Sequence, residues 1–227
     1  MRVVVFASGG GSNFQALIDR FESGSEGITI AALIVSRAGA GAVDRARRHG
    51  VPIFLTDEAG ARAASLDGES GAPRNLPDVL EELEADLIVL AGYLRLVPGS
   101  LVRAWWGRAI NVHPALLPSF GGPGMYGKRV HEAVIASGAR VTGVTVHFVD
   151  EQYDRGPIIA QWPVPVLGSD TSDTLAARVL DVEHRVLPDS VAALARGDVS
   201  LMTDGGVRWT APWFRGRCFV MTDESRT

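Results

Sequence analysis

The sequence predicts an α/β protein with a mostly parallel sheet and helices on both faces. Two observations carry that reading. Residues 3–7 are a short, continuously apolar run rich in β-branched residues, and largely apolar runs recur at 28–35 and 86–91, as suits strands buried on both faces. Helically spaced segments lie between them, and such strand–helix alternation implies right-handed crossovers.

Residues 3–7 (VVVFA) form the first strand. SGGGSN at 8–13 is a turn, after which Phe14, Leu17, Ile18 and Phe21 fall at i, i+3, i+4 and i+7 on one helix face. Residues 24–27 close that unit, 28–35 are the second strand and 42–49 the next helix. Gly50, Val51 and Pro52 lead into a third strand at 53–55. Residues 56–77 hold Gly60, Gly68, Gly71, Pro73 and Pro77 and read as a loop with one short helix. A helix at 77–85 has proline in its first turn and acids on its exposed face, and the strand at 86–91 follows. Residues 110–113 are a short strand. Residues 142–149 alternate, the pattern of a strand packed on one face, and 158–166 carry two prolines, which marks an edge strand or extended segment. Residues 172–195 are a long amphipathic helix, kinked or broken at Pro188. Residues 198–227 read as a strand pair with a polar tail, apolar enough at Trp209, Trp213, Phe214 and Phe219 to pack on the preceding domain.

A length of 227 residues suits one α/β domain, or at most two small ones. The net charge of -4 gives no nucleic-acid footprint. The single cysteine, Cys218, excludes a disulfide framework and a cysteine-rich zinc site, and the histidine spacing suggests no metal. Glycines follow the first apolar run at once, so it is too short for a signal peptide or a membrane span. The expectation is a cytoplasmic protein with no membrane partner.

The glycine turn puts several backbone N–H groups at a helix N-terminus, a geometry that attracts phosphate. A dinucleotide fingerprint starting at Gly9 would need glycine at Phe14, and a P-loop would need Gly-Lys at Phe14-Gln15. The second strand ends in Ser36-Arg37, without the acid that holds an NAD ribose. A small monophosphate therefore fits better than a dinucleotide or ATP. A tight βα turn that simply requires glycine explains the motif equally well.

Asn111 and His113 stand two apart on a strand and share a face. An amide N–H can stabilise an oxyanion, and an imidazole can move a proton, the two needs of acyl transfer. In isolation such a tetrapeptide is more often a His-Pro turn with an asparagine cap. The loop HFVDEQYDRGP at 147–157 holds three acids, one of which could pair with His113, raise its pKa and favour imidazolium. A solvated acidic turn is the commoner fate of such residues. His147 reads as a structural strand histidine, and His49, His131 and His184 as surface or capping residues.

GGGSN after the first strand, AGYLRLV at 91–97, NVHPALLPSF at 111–120 and TGVTVHFVDEQYDRGPII at 142–159 occur in this order. Together they resemble the phosphoribosylglycinamide formyltransferase family over roughly residues 1–197. The resemblance implies a Rossmann-like formyltransferase fold with a mostly parallel seven-stranded sheet, residues 1–197 forming the catalytic domain and 198–227 packing on it. It implies formyl transfer from 10-formyltetrahydrofolate, a cosubstrate, to the amine of 5-phosphoribosylglycinamide, without a metal. Asn111, His113 and Asp154 are then the catalytic trio. Asn111 holds the oxyanion, His113 acts as imidazolium and proton donor, and Asp154 raises the pKa of His113 and aids a proton relay. Gly11, Ser12 and Asn13 bind the ribonucleotide phosphate, and Glu183 contacts the ribose. Leu94, Arg95, Leu96 and Val97, with Asn111, line the folate site, and Val149, Asp150, Glu151 and Gln152 close over the pterin.

Three departures stand out. Ser36-Arg37 replaces a common Ser-Asn, GGPGMYG follows Phe120 in place of a shorter connection, and Arg74 is the nearest candidate for a ligand-binding arginine. The partners implied are small molecules, and the oligomeric state is a monomer or homodimer. Methionyl-tRNA formyltransferases resemble the NVHPALLPSF segment but add a C-terminal β-barrel, for which residues 198–227 are too few. Formyltetrahydrofolate hydrolases share the Asn, His and Asp pattern, and a non-catalytic nucleotide-binding module would explain the glycine turn alone.

Overall fold

The computed structural model describes residues 1–67 and 72–210. The chain divides into two compact units. The first is Met1–Asn111 with Val149–Glu151, and the second is Val112–Phe148 with the chain from Gln152 onward.

The first unit carries β1 (Arg2–Ala7), α1 (Ser12–Phe21), β2 (Thr29–Val35), α2 (Gly41–Arg48), β3 (Ile53–Thr56), β4 (Arg62–Ser65) and β5 (Arg74–Asn75). There follow α3 (Leu76–Glu82), β6 (Leu87–Leu90), α4 (Gly99–Ala104) and β7 (Ala109–His113), within which the chain passes to the second unit. Its strands lie in the order β5-β4-β3-β2-β1-β6-β7. The inner five are parallel, while β4 and β5 are antiparallel. Burial explains why β1 and β2 read as unbroken apolar runs: Val3, Val4, Val5, Leu33 and Ile34 are all buried in the core. The face of α1 buries Phe14, Leu17, Ile18 and Phe21, as its spacing requires.

The loop expected at 56–77 contains two strands, β4 and β5, and, among its described residues before α3, no helix. β4 pairs antiparallel with β3, Leu55 opposite Ala64 and Thr56 opposite Ala63. One side chain organises the reversal. Asp57 Oδ1 accepts the N–H groups of Ala61 and Arg62 at 2.9 and 3.2 Å, and the Asp57 N–H donates to the Arg62 carbonyl at 2.9 Å. Gly60 turns within this reversal at φ +67°.

The second unit carries α5 (Lys128–Ala136), β8 (Val141–Phe148), β9 (Ile158–Pro165), α6 (Ser172–Arg196), β10 (Val199–Leu201) and β11 (Val207–Trp209). β8 and β9 are antiparallel, and α6 packs on both and on α5. β8 is buried at every residue but Val141, so the one-faced packing expected from its alternation is corrected: Thr142, Thr145 and His147 are polar yet inside. Helix α6 is not broken at Pro188. It runs from a capping box at Thr171 to Gly197 in the left-handed conformation. Burial of Val179, Val182, Val186, Leu187 and Val191 offsets the hydrogen bond that the proline lacks.

The mostly parallel sheet with flanking helices is as the sequence predicts. The described residues hold eleven strands, seven in the first unit's sheet alone, so the expected count of seven is too low. β10 and β11 form an antiparallel pair, and Trp209 Nε1 donates to the Ile159 carbonyl at 3.1 Å. Trp213, Phe214, Cys218 and Phe219 lie outside the described residues. Among the described residues, no helix is long and apolar enough to cross a membrane.

Candidate active site

In the first unit the glycine turn joins β1 to α1. Gly11 has φ +72°, a left-handed conformation that glycine adopts freely, and Ser12 and Asn13 begin the helix. The turn packs against the start of α2. A Cβ on Gly11 would meet Ala42 Cβ at 2.6 Å, and one on Gly41 would meet Gly10 Cα at 3.2 Å. Two arginines take up the turn's carbonyls: Arg37 Nε donates to Ser8 O at 2.7 Å and Arg45 Nε to Gly10 O at 2.8 Å. Arg37 is one of the departures noted in the sequence. Neither arginine was singled out from sequence as serving this turn.

Ser8 ties the turn to the segment after β6. Its Oγ accepts the Leu94 N–H at 2.9 Å and the Ser36 hydroxyl at 2.7 Å, and the Ser8 N–H donates to Gly92 O at 3.0 Å. In that segment Leu94 and Leu96 are exposed, while Val97 packs on the core. Arg95 donates to the carbonyls of Thr56 and Asp57 and so fixes the start of the Asp57 turn. Glu151, in the 149–151 segment, is ion-paired with Arg103 of α4, and Val149 packs on the core of the first unit. Arg74 stands on β5, the edge strand, paired with Glu82. Asn111 precedes His113 by two on β7.

The second unit brings His113 and Asp154 together. His113 Nδ1 lies 3.6 Å from Asp154 Oδ2, and its Nε2 is 2.8 Å from the Phe120 carbonyl. Both side chains are almost wholly removed from solvent. Asp154 takes a left-handed backbone, φ +55°, as does Phe120 at φ +57°. The extra glycines after Phe120 have a local reason. The Gly122 N–H donates to Asp154 Oδ2 at 2.8 Å, and a Cβ on Gly121 would meet Leu117 Cδ2 at 2.5 Å and Asp154 Cβ at 3.1 Å.

Burial is the dominant influence on His113 and lowers its pKa; Asp154 and the Phe120 carbonyl oppose this without overcoming it. The expected net rise is therefore corrected: Asp154 acts in the anticipated sense, and desolvation outweighs it. For Asp154 burial pushes upward, but the imidazole of His147, the charge of His113 and the Gly122 N–H together bring its pKa below the ordinary value.

His147 belongs to this cluster. Its Nε2 is 3.7 Å from Asp154 Oδ1, so the purely structural reading of this histidine is incomplete. His131 is buried at 5% exposure, which corrects its reading as a surface or capping residue, and its Nδ1 has no hydrogen-bond partner. Sequence periodicity alone could not place it, because α5 was not anticipated. Glu183 is buried on α6, and Gln152 is exposed. Among the described residues, no group of three or more His, Cys, Asp or Glu could hold a metal ion.

Comparison with known proteins matches this chain to the formyl transferase family over residues 1–191. It is 44% identical over 204 residues to the chloroplastic phosphoribosylglycinamide formyltransferase of Vigna unguiculata, covering 90% of this chain and 64% of the relative's length. The crystal structure of phosphoribosylglycinamide formyltransferase from Anaplasma phagocytophilum superposes with a TM-score of 0.80 at 34% identity, covering 93% of this chain and 95% of that one. A formyltetrahydrofolate deformylase from Pseudomonas syringae pv. tomato superposes with a TM-score of 0.76 at 26% identity, covering 92% and 66%.

Proposed function

Because this chain belongs to the formyl transferase family, we propose that it transfers the formyl group of 10-formyltetrahydrofolate to the amine of 5-phosphoribosylglycinamide. The reaction is a step of purine biosynthesis. The observation that carries the reading is the buried approach of Asp154 to His113 at 3.6 Å, on the loop and strand whose motifs match the family.

The amine attacks the formyl carbon, the carbonyl oxygen becomes an oxyanion, and the bond from carbon to folate N10 breaks. Asn111 donates its side-chain N–H to the oxyanion. His113, as imidazolium, delivers a proton to the leaving folate, with burial disfavouring its charged form and Asp154 favouring it. The attacking amine releases a proton, and Asp154 passes it on through water. Folate N10 receives a proton as it leaves.

Gly11, Ser12 and Asn13 hold the phosphate at the start of α1, supported by the arginines behind the turn. Glu183 contacts the ribose. Leu94, Arg95, Leu96 and Val97, with Asn111, form the folate wall, and Val149, Asp150, Glu151 and Gln152 close on the pterin. Arg74, ion-paired with Glu82 on the edge strand, is the candidate for the ligand-binding arginine. Residues 1–197 serve as the catalytic domain and 198–227 as an addition to it. The protein acts in the cytoplasm, on small molecules, as a monomer or homodimer.

The deformylase neighbour keeps a second reading in view, transfer of the formyl group to water. Absorbance on mixing the protein with 10-formyltetrahydrofolate, with and without the ribonucleotide, separates the two. Deformylation that depends on the ribonucleotide supports the transferase. Deformylation without it makes the protein a hydrolase, and no change in either mixture leaves a binding protein.

A further inference from the structure

Gly143 and Thr145 stand two apart on β8 and share a face, and Gln161 of β9 lies opposite Thr145 in the antiparallel register. Against them lies the connection that leaves His113, residues 114–120, which has no helix or strand of its own. Leu116 seats where β8 lacks a side chain: a Cβ on Gly143 would meet Leu116 Cδ2 at 2.6 Å and the Trp162 carbonyl oxygen at 2.1 Å.

Beside that seat Thr145 is wholly buried, and its hydroxyl is used to capacity. It donates to the Ala115 carbonyl at 2.7 Å and accepts the Leu117 N–H and the Gln161 side-chain amide, each at 3.0 Å. A hydroxyl has one proton and two lone pairs, so nothing is left over. The Gln161 amide nitrogen also donates to the Leu117 carbonyl at 2.9 Å. A carbonyl only accepts, so the amide nitrogen, not its oxygen, faces Leu117. These bonds are not what joins β8 to β9, because the main-chain ladder does that. A valine at 145 would fill the same space and suit a buried strand. The hydroxyl therefore serves the connection.

The connection leads into the site. Its last residue, Phe120, presents the carbonyl oxygen that meets His113 Nε2 at 2.8 Å. The next two residues reach Asp154. The Gly122 N–H donates to Oδ2 at 2.8 Å, and the space beside Gly121 is taken by Leu117 Cδ2 and Asp154 Cβ.

We propose that Thr145 and Gln161 are positioning residues for the His113–Asp154 pair. They hold the connection, and through it the Phe120 carbonyl that orients the imidazole and the Gly122 N–H that orients the carboxylate. Their effect on turnover rests on the formyl-transfer reading. Their hold on the connection does not.

Steady-state kinetics and NMR on the full chain test it. Thr145→Val keeps the shape and removes the hydroxyl, Gln161→Leu removes the amide, and Thr145→Ser keeps the hydroxyl. The first two should lower kcat by roughly ten- to a hundredfold, the order expected when a catalytic group is slightly displaced, with KM for both substrates within a few-fold of wild type. Thr145→Ser should stay near wild type. A packing role alone would lower the melting temperature of Thr145→Val while its folded fraction kept kcat, and that result overturns the proposal. So does a Thr145→Ser variant as impaired as Thr145→Val. The NMR reading needs no substrate. The His113 Nε2–H resonance, held by the Phe120 carbonyl, should shift or broaden in Thr145→Val and Gln161→Leu and stay in place in Thr145→Ser. An unmoved resonance in folded Thr145→Val overturns the proposal. Should that variant fail to fold, Gln161→Leu, at a half-buried position, decides by the same two readings. If the protein proves not to transfer formyl groups, the resonance still decides whether the two side chains hold the connection.

Discussion

The backbone N–H of Leu94 donates to the hydroxyl of Ser8 at 2.9 Å, so one buried oxygen joins the glycine turn to the exposed leucines after β6. Ser8→Ala removes that acceptor and strands the Leu94 N–H. A cost of about 1–3 kcal/mol in stability is expected from the unsatisfied donor, read by denaturant unfolding. KM should rise for both the ribonucleotide and the folate, because the two segments lose their common anchor. A rise for one substrate alone would show that the segments are positioned independently.

His113→Ala and Asp154→Ala should each lower kcat by roughly 10²-fold or more with small changes in KM, because both act on the transition state. Steady-state kinetics with both substrates checks this. Near-native kcat in either variant removes that residue from the mechanism.

Gly11→Val should abolish ribonucleotide binding and largely spare folate binding. The φ of +72° and the 2.6 Å approach to Ala42 Cβ leave no room for a side chain. Calorimetric titration with each ligand separately distinguishes local damage from misfolding, which would weaken both affinities alike.

Stability should fall with acidification in two stages. His113 has a folded pKa below its ordinary 6.5, so the unfolded chain binds the proton more readily, and stability is lost as pH falls below that value. His131 adds in the same sense. Asp154 is also depressed, so its contribution is present above 3.8 and lost as pH falls further. Melting temperature should therefore decline between neutrality and pH 5, and His113→Asn should flatten that decline. An equal slope in wild type and variant would place its origin elsewhere.

Truncation after Gly197 removes the β10–β11 pair and the bond from Trp209 to Ile159. The melting temperature should drop through lost apolar burial of roughly 25 cal/mol per Å², while KM for both substrates stays within a few-fold below the new melting point. A truncated chain as stable as the parent would show that the pair contributes nothing to the fold.

The parts legible in the sequence were those where burial writes itself as composition. β1, β2 and β6 are apolar because both faces are covered, and α1 shows its buried stripe directly. β4 was missed because Arg62, Ala63, Ala64 and Ser65 carry little strand propensity; its pairing is set by β3 and by the turn at Asp57. Helices α4 and α5 were missed for lack of a long apolar stripe. Among site residues, His113 and Asp154 emerged from motifs, and the structure brings them together. His147 did not, since only the fold reveals that its ring faces Asp154. The net pKa of His113 was also beyond reach, because a sequence reveals a nearby acid more readily than the depth of burial.

The close seating of Gly11 on Ala42, and of Gly41 on Gly10, joins residues from two successive strand–helix units into one steric partnership. A larger residue at position 42 presses on the turn as directly as one at position 11, though it lies outside the glycine motif. Natural drift at these sites is therefore coupled. A larger residue at the start of α2 needs a matching change at the turn, and covariation between positions 11 and 42 among relatives is the expected outcome of this packing.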